Sequence, residues 1–133
     1  MKELLILLLI ILVSSSLKAQ DEFEYTEGDT TYVMKKYYLV LLKANADKEK
    51  LDSASIAQIQ QAHLDNIGRL HDLGKIVMAG PMGEDGDLRG IFVMDCDSIE
   101  EARELCETDP AISKKRLLYE VHSWWAAKGS KLP

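Results

Sequence analysis

The chain of 133 residues carries 16 Lys and Arg against 22 Asp and Glu, a formal net charge of −6, and 47% of its residues are hydrophobic. At about 100–200 residues per domain this is one domain, and the apolar content excludes a disordered chain. The acidic balance and the absence of any Lys/Arg run exclude a nucleic-acid partner, which needs a basic surface to neutralise phosphates.

Residues 1–19 have the residue order of a secretory signal peptide. Lys2 precedes ten apolar residues, Leu4–Val13, and a small and polar stretch then ends at Ala19. Ten helical residues span about 15 Å, half of the ~30 Å of a bilayer core, so no stable membrane anchor is expected after cleavage. Removal of this segment leaves 14 basic and 21 acidic side chains, a net charge of −7, on a chain exported to the periplasm or the exterior.

Export would permit a disulfide between the two cysteines, Cys96 and Cys106. The segment between them is helical from Ser98 by its pattern, and eight helical residues span about 12 Å. Bridged Cα atoms lie within about 7 Å of each other. We therefore expect two separate, buried thiols.

The first half of the mature chain begins with residues 20–36, which are acidic and aperiodic and predict a flexible leader. Tyr37–Lys43 is apolar on both alternating faces, which predicts a strand covered on two sides. Apolar residues at helical spacing then predict a helix over Ser53–Leu73, with Ser53 as its N-cap and Gly74 as its stop.

The second half is predicted to hold three strands and one helix. Ser98 opens the helix with Glu101 three residues later, a capping box, and Asp109-Pro110 ends it. The strands are Lys75–Ala79, ended by Gly80-Pro81, then Leu88–Cys96 and Arg116–Trp125. We take residues 37–128 as the domain and 129–133 as a C-terminal tail.

The order strand–helix–strand–strand–helix–strand is the ferredoxin-like α+β pattern. It predicts one antiparallel four-stranded sheet with both helices on one face.

His63 interrupts the apolar stripe of the first predicted helix, where a side chain should face the sheet. A buried imidazole needs hydrogen-bond partners, so one interpretation is a satisfied core histidine. The other is a general acid or base, for which histidine suits neutral pH. Asp109, in the turn before Pro110, either bonds turn amides or orients an imidazole.

The other histidines favour simpler interpretations. His71 lies at the C-terminal end of its helix, where the dipole favours it, and His122 is structural or interfacial. The sequence has no Cys/His ligand spacing, no Gly-rich phosphate loop and no Ser nucleophile elbow, so neither a metal nor a cofactor is expected.

Two blocks of the sequence resemble the YCII-related (YciI-like) family. They are AHLDNIGRLHDLGKIVMAGP (Ala62–Pro81) and SIEEARELCETDPAISKKRLLYEVHSWW (Ser98–Trp125), within a resemblance that covers Tyr37–Trp125. The family implies a ferredoxin-like unit that dimerises through its sheets into an α/β barrel. A partner sheet would cover the second apolar face of the strands.

The resemblance also implies a small pocket with a histidine and an aspartate as an active-site dyad. The matching positions are His63 and Asp109, and Gly80 and Pro81 match a turn that shapes the pocket. Lys114 and Lys115 stand where the family has a small residue and a glycine. They would either add positive charge at the pocket mouth or form a solvated turn.

Two hypotheses of different class follow. The first is a cofactor-independent lyase or isomerase, in which His63 moves a proton of a small anionic or phenolic substrate and Asp109 stabilises the imidazolium. The second is a homodimeric module that binds such a ligand without converting it. A purely structural His–Asp pair is the third, weaker alternative.

Overall fold

The structure is a computed structural model and describes residues 21–133. The predicted signal peptide lies outside the described residues. The strands are β1 (Glu22–Glu27), β2 (Thr30–Ala44), β3 (Ile76–Pro81), β4 (Leu88–Met94) and β5 (Leu117–Ala127). The helices are α1 (Ser53–Asp72), α2 (Ile99–Glu107) and the single turn α3 (Pro110–Ser113).

All strand pairs of the sheet are antiparallel. β5 pairs with one edge of β2 from Met34 to Ala44, β4 pairs with the other edge from Tyr38 to Lys43, and β3 pairs with β4. The resulting order, β5–β2–β4–β3, places β2 and β4 at the centre of the four strands and β5 and β3 at the two edges. This is the predicted ferredoxin-like α+β fold.

Residues 22–36 differ from the expected flexible leader. β1 pairs with the first part of β2, from Glu22 opposite Lys35 to Glu27 opposite Thr30, and so extends the sheet. Gly28, at a φ of +60°, makes the tight turn. The acidic composition suggested disorder, but Phe23 and Tyr25 alternate with glutamates, a strand period. The ring of Phe23 meets Trp125 edge-on, with centroids 4.8 Å apart.

The hydrophobic core lies between the sheet and the helices. Alternate residues of β2 point into it, and both helices contribute the other side, so both lie on one face as predicted. The core includes Tyr38, Val40 and Leu42 of β2, Phe92 and Met94 of β4, Leu70 of α1, and Ala102 and Cys106 of α2. Burial of this apolar surface is the main stabilising contribution to the fold.

The opposite side of the sheet carries no helix in the described part of the chain; we call it the open face. It presents Tyr37, Leu39 and Leu41 of β2, Ile91 and Val93 of β4, and Leu118 and Trp124 of β5. Leu118 and Trp124 are 48% and 43% exposed. An apolar sheet face of this extent is typical of an interaction surface.

The helix ends follow local hydrogen bonding. Asp52, not Ser53 as predicted, caps α1, because its carboxylate accepts the backbone N–H of Ser55 at 2.9 Å. Gly74 follows with a φ of +71°, as predicted for the residue after a helix. The Ser98 hydroxyl accepts the Glu101 N–H at 3.0 Å, which confirms the predicted N-cap of α2. No helix among residues 21–133 has the length and apolar character needed to cross a bilayer.

Candidate functional site

His63 and Asp109 meet in the interior although 46 positions separate them in the chain. His63 Nδ1 lies 2.7 Å from Asp109 Oδ2 and 2.9 Å from Oδ1. The carboxylate is fully buried, and the imidazole side chain is 10% exposed. A buried carboxylate requires hydrogen-bond donors, so Asp109 holds Nδ1 as its protonated nitrogen.

Two features of the sequence create this pair. His63 occupies the sheet-facing side of α1, where it interrupts the apolar stripe. Pro110 prevents α2 from continuing, so Asp109 becomes the N-cap of α3 and accepts the Ala111 N–H at 2.8 Å. Packing of α3 against α1 then brings the carboxylate to the imidazole.

Asn66, which was not among the predicted site residues, completes the support of Asp109. It lies three positions after His63, on the same helix face, and its amide donates to Asp109 Oδ2 at 3.3 Å. Its own oxygen accepts Arg69 Nη2 at 2.8 Å. The signal that could have identified it is a second polar residue at helical spacing from His63 on a face that should be apolar.

The second imidazole nitrogen of His63 faces the cavity. Among residues 21–133, no fully buried side-chain nitrogen or oxygen lacks a hydrogen-bond partner. Nε2 has no hydrogen-bond partner in the described chain, so it is not one of the fully buried atoms. Because His63 lines the cavity, Nε2 is accessible from there. The ring lies near that of Phe92, with centroids 6.2 Å apart and planes inclined by 29°. Packing and Asp109 together fix the orientation of the imidazole.

The cavity has a volume of about 600 Å³ and lies between α1 and the ends of β2, β3 and β4. Gly80 and Pro81 line it, together with His63 and Phe92. A Cβ at Gly90 would meet the Gly80 carbonyl oxygen at 2.8 Å, so a glycine is required where β4 passes β3. The volume suits one small organic molecule.

Several other candidate residues lie away from this cavity. Lys114 and Lys115 are not among its lining residues; Lys115 lines a separate depression near Lys43. Of the two alternatives for these residues, the structure therefore favours the exposed turn over added charge at this mouth. His71 is exposed at the end of α1, and His122 lies on the open face, 3.4 Å from Glu120.

Neither of the two cysteine thiols is a candidate nucleophile. Cys96 and Cys106 are free and buried, as expected. The pKa of each thiol is raised to about 12, mainly by burial and, for Cys106, also by the nearby Asp109 charge. Both stay protonated at neutral pH and are unreactive. In the described chain, no three His, Cys, Asp or Glu residues form a metal-binding group.

Comparison with known proteins agrees with the fold. The chain matches the family model described as YCII-related domain over residues 36–124. A similar solved structure is the 5-chloro-2-hydroxyhydroquinone dehydrochlorinase of Burkholderia phenoliruptrix AC1100, in complex with 2,5-dihydroxybenzoquinone. It is 24% identical with a TM-score of 0.50, over 66% of this chain and 92% of that chain. No curated protein matches. Because the family model spans more than half of the sequence, the chain belongs to the YCII-related domain family.

Proposed function

We propose that this protein is a cofactor-independent enzyme of the lyase or isomerase type that acts on a small phenolic or otherwise acidic molecule. One observation carries the proposal: His63 is held by a buried carboxylate at Nδ1 and opens to the cavity at Nε2. This is the arrangement of a general base. The dehydrochlorinase activity of the similar solved structure supports an elimination reaction.

The chemistry follows from the tautomer. With its proton on Nδ1, His63 has a lone pair at Nε2 that can accept a proton from a ligand in the cavity. The electrons of the broken bond then form a double bond, and a leaving group departs with its own pair, or the proton returns to another atom. The Asp109 carboxylate stabilises the imidazolium formed in the first step. Each of these steps requires only an imidazole that accepts a proton and can return it.

A ligand screen tests the cavity as the site. We expect 2,5-dihydroxybenzoquinone or a related hydroxylated aromatic to raise the melting temperature of the wild type, by an amount equivalent to about 2.7 kcal/mol at a hundredfold excess over its Kd. Ala79 lines the cavity, so Ala79→Leu should narrow it and reduce the shift. The control Ala57→Leu adds the same side chain on the exposed surface of α1.

The same screen separates the enzyme from a binding module. A compound that binds and is chemically altered supports the enzyme, whereas compounds that bind and are all recovered unchanged support the module. An equal shift for the Ala79→Leu variant and the wild type would place the ligand elsewhere and contradict the proposal.

We further propose that the working unit is an exported homodimer that buries the open face. The exposed apolar side chains Leu118 and Trp124 support this. Native mass spectrometry of the exported form should give twice the mass of residues 20–133. Leu118→Glu should give the monomer, whereas Leu73→Glu, at the more exposed residue that caps the C-terminal end of α1, should not. A monomeric wild type would contradict the homodimer, and a mass that includes residues 1–19 would contradict export.

A further inference from the structure

The charged side chains that line the cavity are all basic. Its lining residues include Lys48, Arg89 and Arg116 and no aspartate or glutamate, although the whole chain has a net charge of −6. A cleft lined by charges of one sign concentrates ligands of the opposite sign. We infer that the cavity selects small aromatic oxyanions, and that Arg116 and Lys48 bind the anionic oxygen; this rests on the proposed ligand site.

Arg116 is the best placed of these cations. Its side chain is anchored by a 2.6 Å hydrogen bond from Nη1 to the Glu49 carbonyl oxygen. Among residues 21–133 no carboxylate forms an ion pair with it, so its other N–H groups can donate to a ligand. A guanidinium donates to a carboxylate through two parallel bonds, which gives both affinity and orientation.

The backbone around Arg116 is held in place by a second contact. Asn45, which is buried, donates from its side chain to the Lys115 carbonyl oxygen at 2.7 Å. Lys115 has a φ of +54°, in the left-handed region that residues other than glycine rarely adopt. Together with the Arg116–Glu49 bond, this contact ties the segment that carries Lys48 to the turn that carries Arg116. Both cations therefore lie at one mouth.

Arg89 is less available to a ligand. Asp85 lies 3.7 Å from its guanidinium and offsets part of its charge. Much of the remaining cavity wall is apolar and includes Ile59, Ile67 and Phe92. A ligand with an aromatic body on this wall and an oxyanion towards Arg116 satisfies both parts of the lining.

Matched pairs of probes test this selectivity. Calorimetric titration of the full chain measures the affinity for each probe. Comparing benzoate with benzamide tests recognition of a carboxylate, and comparing 4-nitrophenolate with 4-nitroanisole tests recognition of a phenolate. We expect the anion of at least one pair to bind about tenfold more tightly than its neutral counterpart. Arg116→Gln should remove most of that difference in affinity, because it removes one charge-assisted contact to the anion. The affinity for the neutral probe should stay within about twofold of its wild-type value.

Arg103→Gln is the control, because it makes the same charge change on the exposed surface of α2, away from the cavity. Equal affinities within both pairs, no binding of any probe, or an unchanged preference in Arg116→Gln would overturn the inference. Since His63→Gln should keep the preference for anions, the result is independent of turnover. A wild type that prefers the anions but converts no compound would leave this inference standing while the proposed chemistry failed.

Discussion

Replacing His63 with glutamine is expected to lower turnover by about 10²–10⁴-fold, the usual contribution of a general acid or base. The glutamine amide can still donate to the buried Asp109 carboxylate, so the fold should persist. It cannot accept a proton at the position of Nε2, which faces the cavity. The measurement is the conversion rate of a compound that the ligand screen shows to be altered, with circular dichroism to verify folding.

His71→Gln is the matched control for this variant. The His71 side chain is 67% exposed and lies at the end of α1, outside the cavity lining. Its replacement should leave both the rate and the melting temperature unchanged. A His63→Gln variant that converts the compound at the wild-type rate would show that the pair is structural.

Asp109→Ala is expected to give the largest loss of stability, about 3–5 kcal/mol, because it removes one partner of a buried, hydrogen-bonded pair. The Asp109 carboxylate is fully buried and accepts from His63, Asn66 and the Ala111 N–H. All three donors would lose their acceptor, and α3 would lose its N-cap. Urea denaturation measures the change in the free energy of unfolding.

Asp109→Asn separates the structural role from the chemical one. Its side-chain oxygen can still accept the Ala111 N–H, so the fold should be retained at a smaller cost. An amide that also donates to His63 Nδ1 would force the proton to Nε2, the wrong tautomer for a base, and the rate should fall as far as in His63→Gln. Asp85→Ala, at a fully exposed position, should change stability by no more than about 0.5 kcal/mol. A loss of stability in Asp109→Ala as small as this would contradict the geometry described here.

The topology could be predicted from the sequence because its signals are local. Alternating apolar residues in Tyr37–Lys43 and the helical stripe around His63 each report their own element. The Ser98 cap and the Asp109-Pro110 break mark where α2 begins and ends. The β1–β2 hairpin was not predicted, because the acidic composition of Glu22–Glu27 favours disorder although its alternation is typical of a strand.

The site could be predicted only in part, because its residues are distant in the chain. The gap that His63 makes in a stripe and the place of Asp109 in the turn before Pro110 are local signals, and the family resemblance joined the two residues as a dyad. That they approach within 2.7 Å depends on the packing of α3 on α1, which no local pattern encodes. Asn66 and Arg116 acquire their roles in the same way, through tertiary contacts. For Lys114 and Lys115 the sequence left two alternatives, charge at the mouth or a solvated turn, and the structure leaves both residues outside the cavity lining.

The central claim is that Asp109 holds the proton of His63 on Nδ1 and that a ligand meets Nε2. Long-range ¹⁵N–¹H NMR of the imidazole side chains, with and without a compound that binds in the screen, tests both parts. The expected result is a protonated Nδ1 in the free protein and a ligand-induced shift of His63 Nε2, with His71 and His122 unchanged. A free protein with the proton on Nε2, or a ligand that leaves the His63 resonances unshifted, would contradict the account.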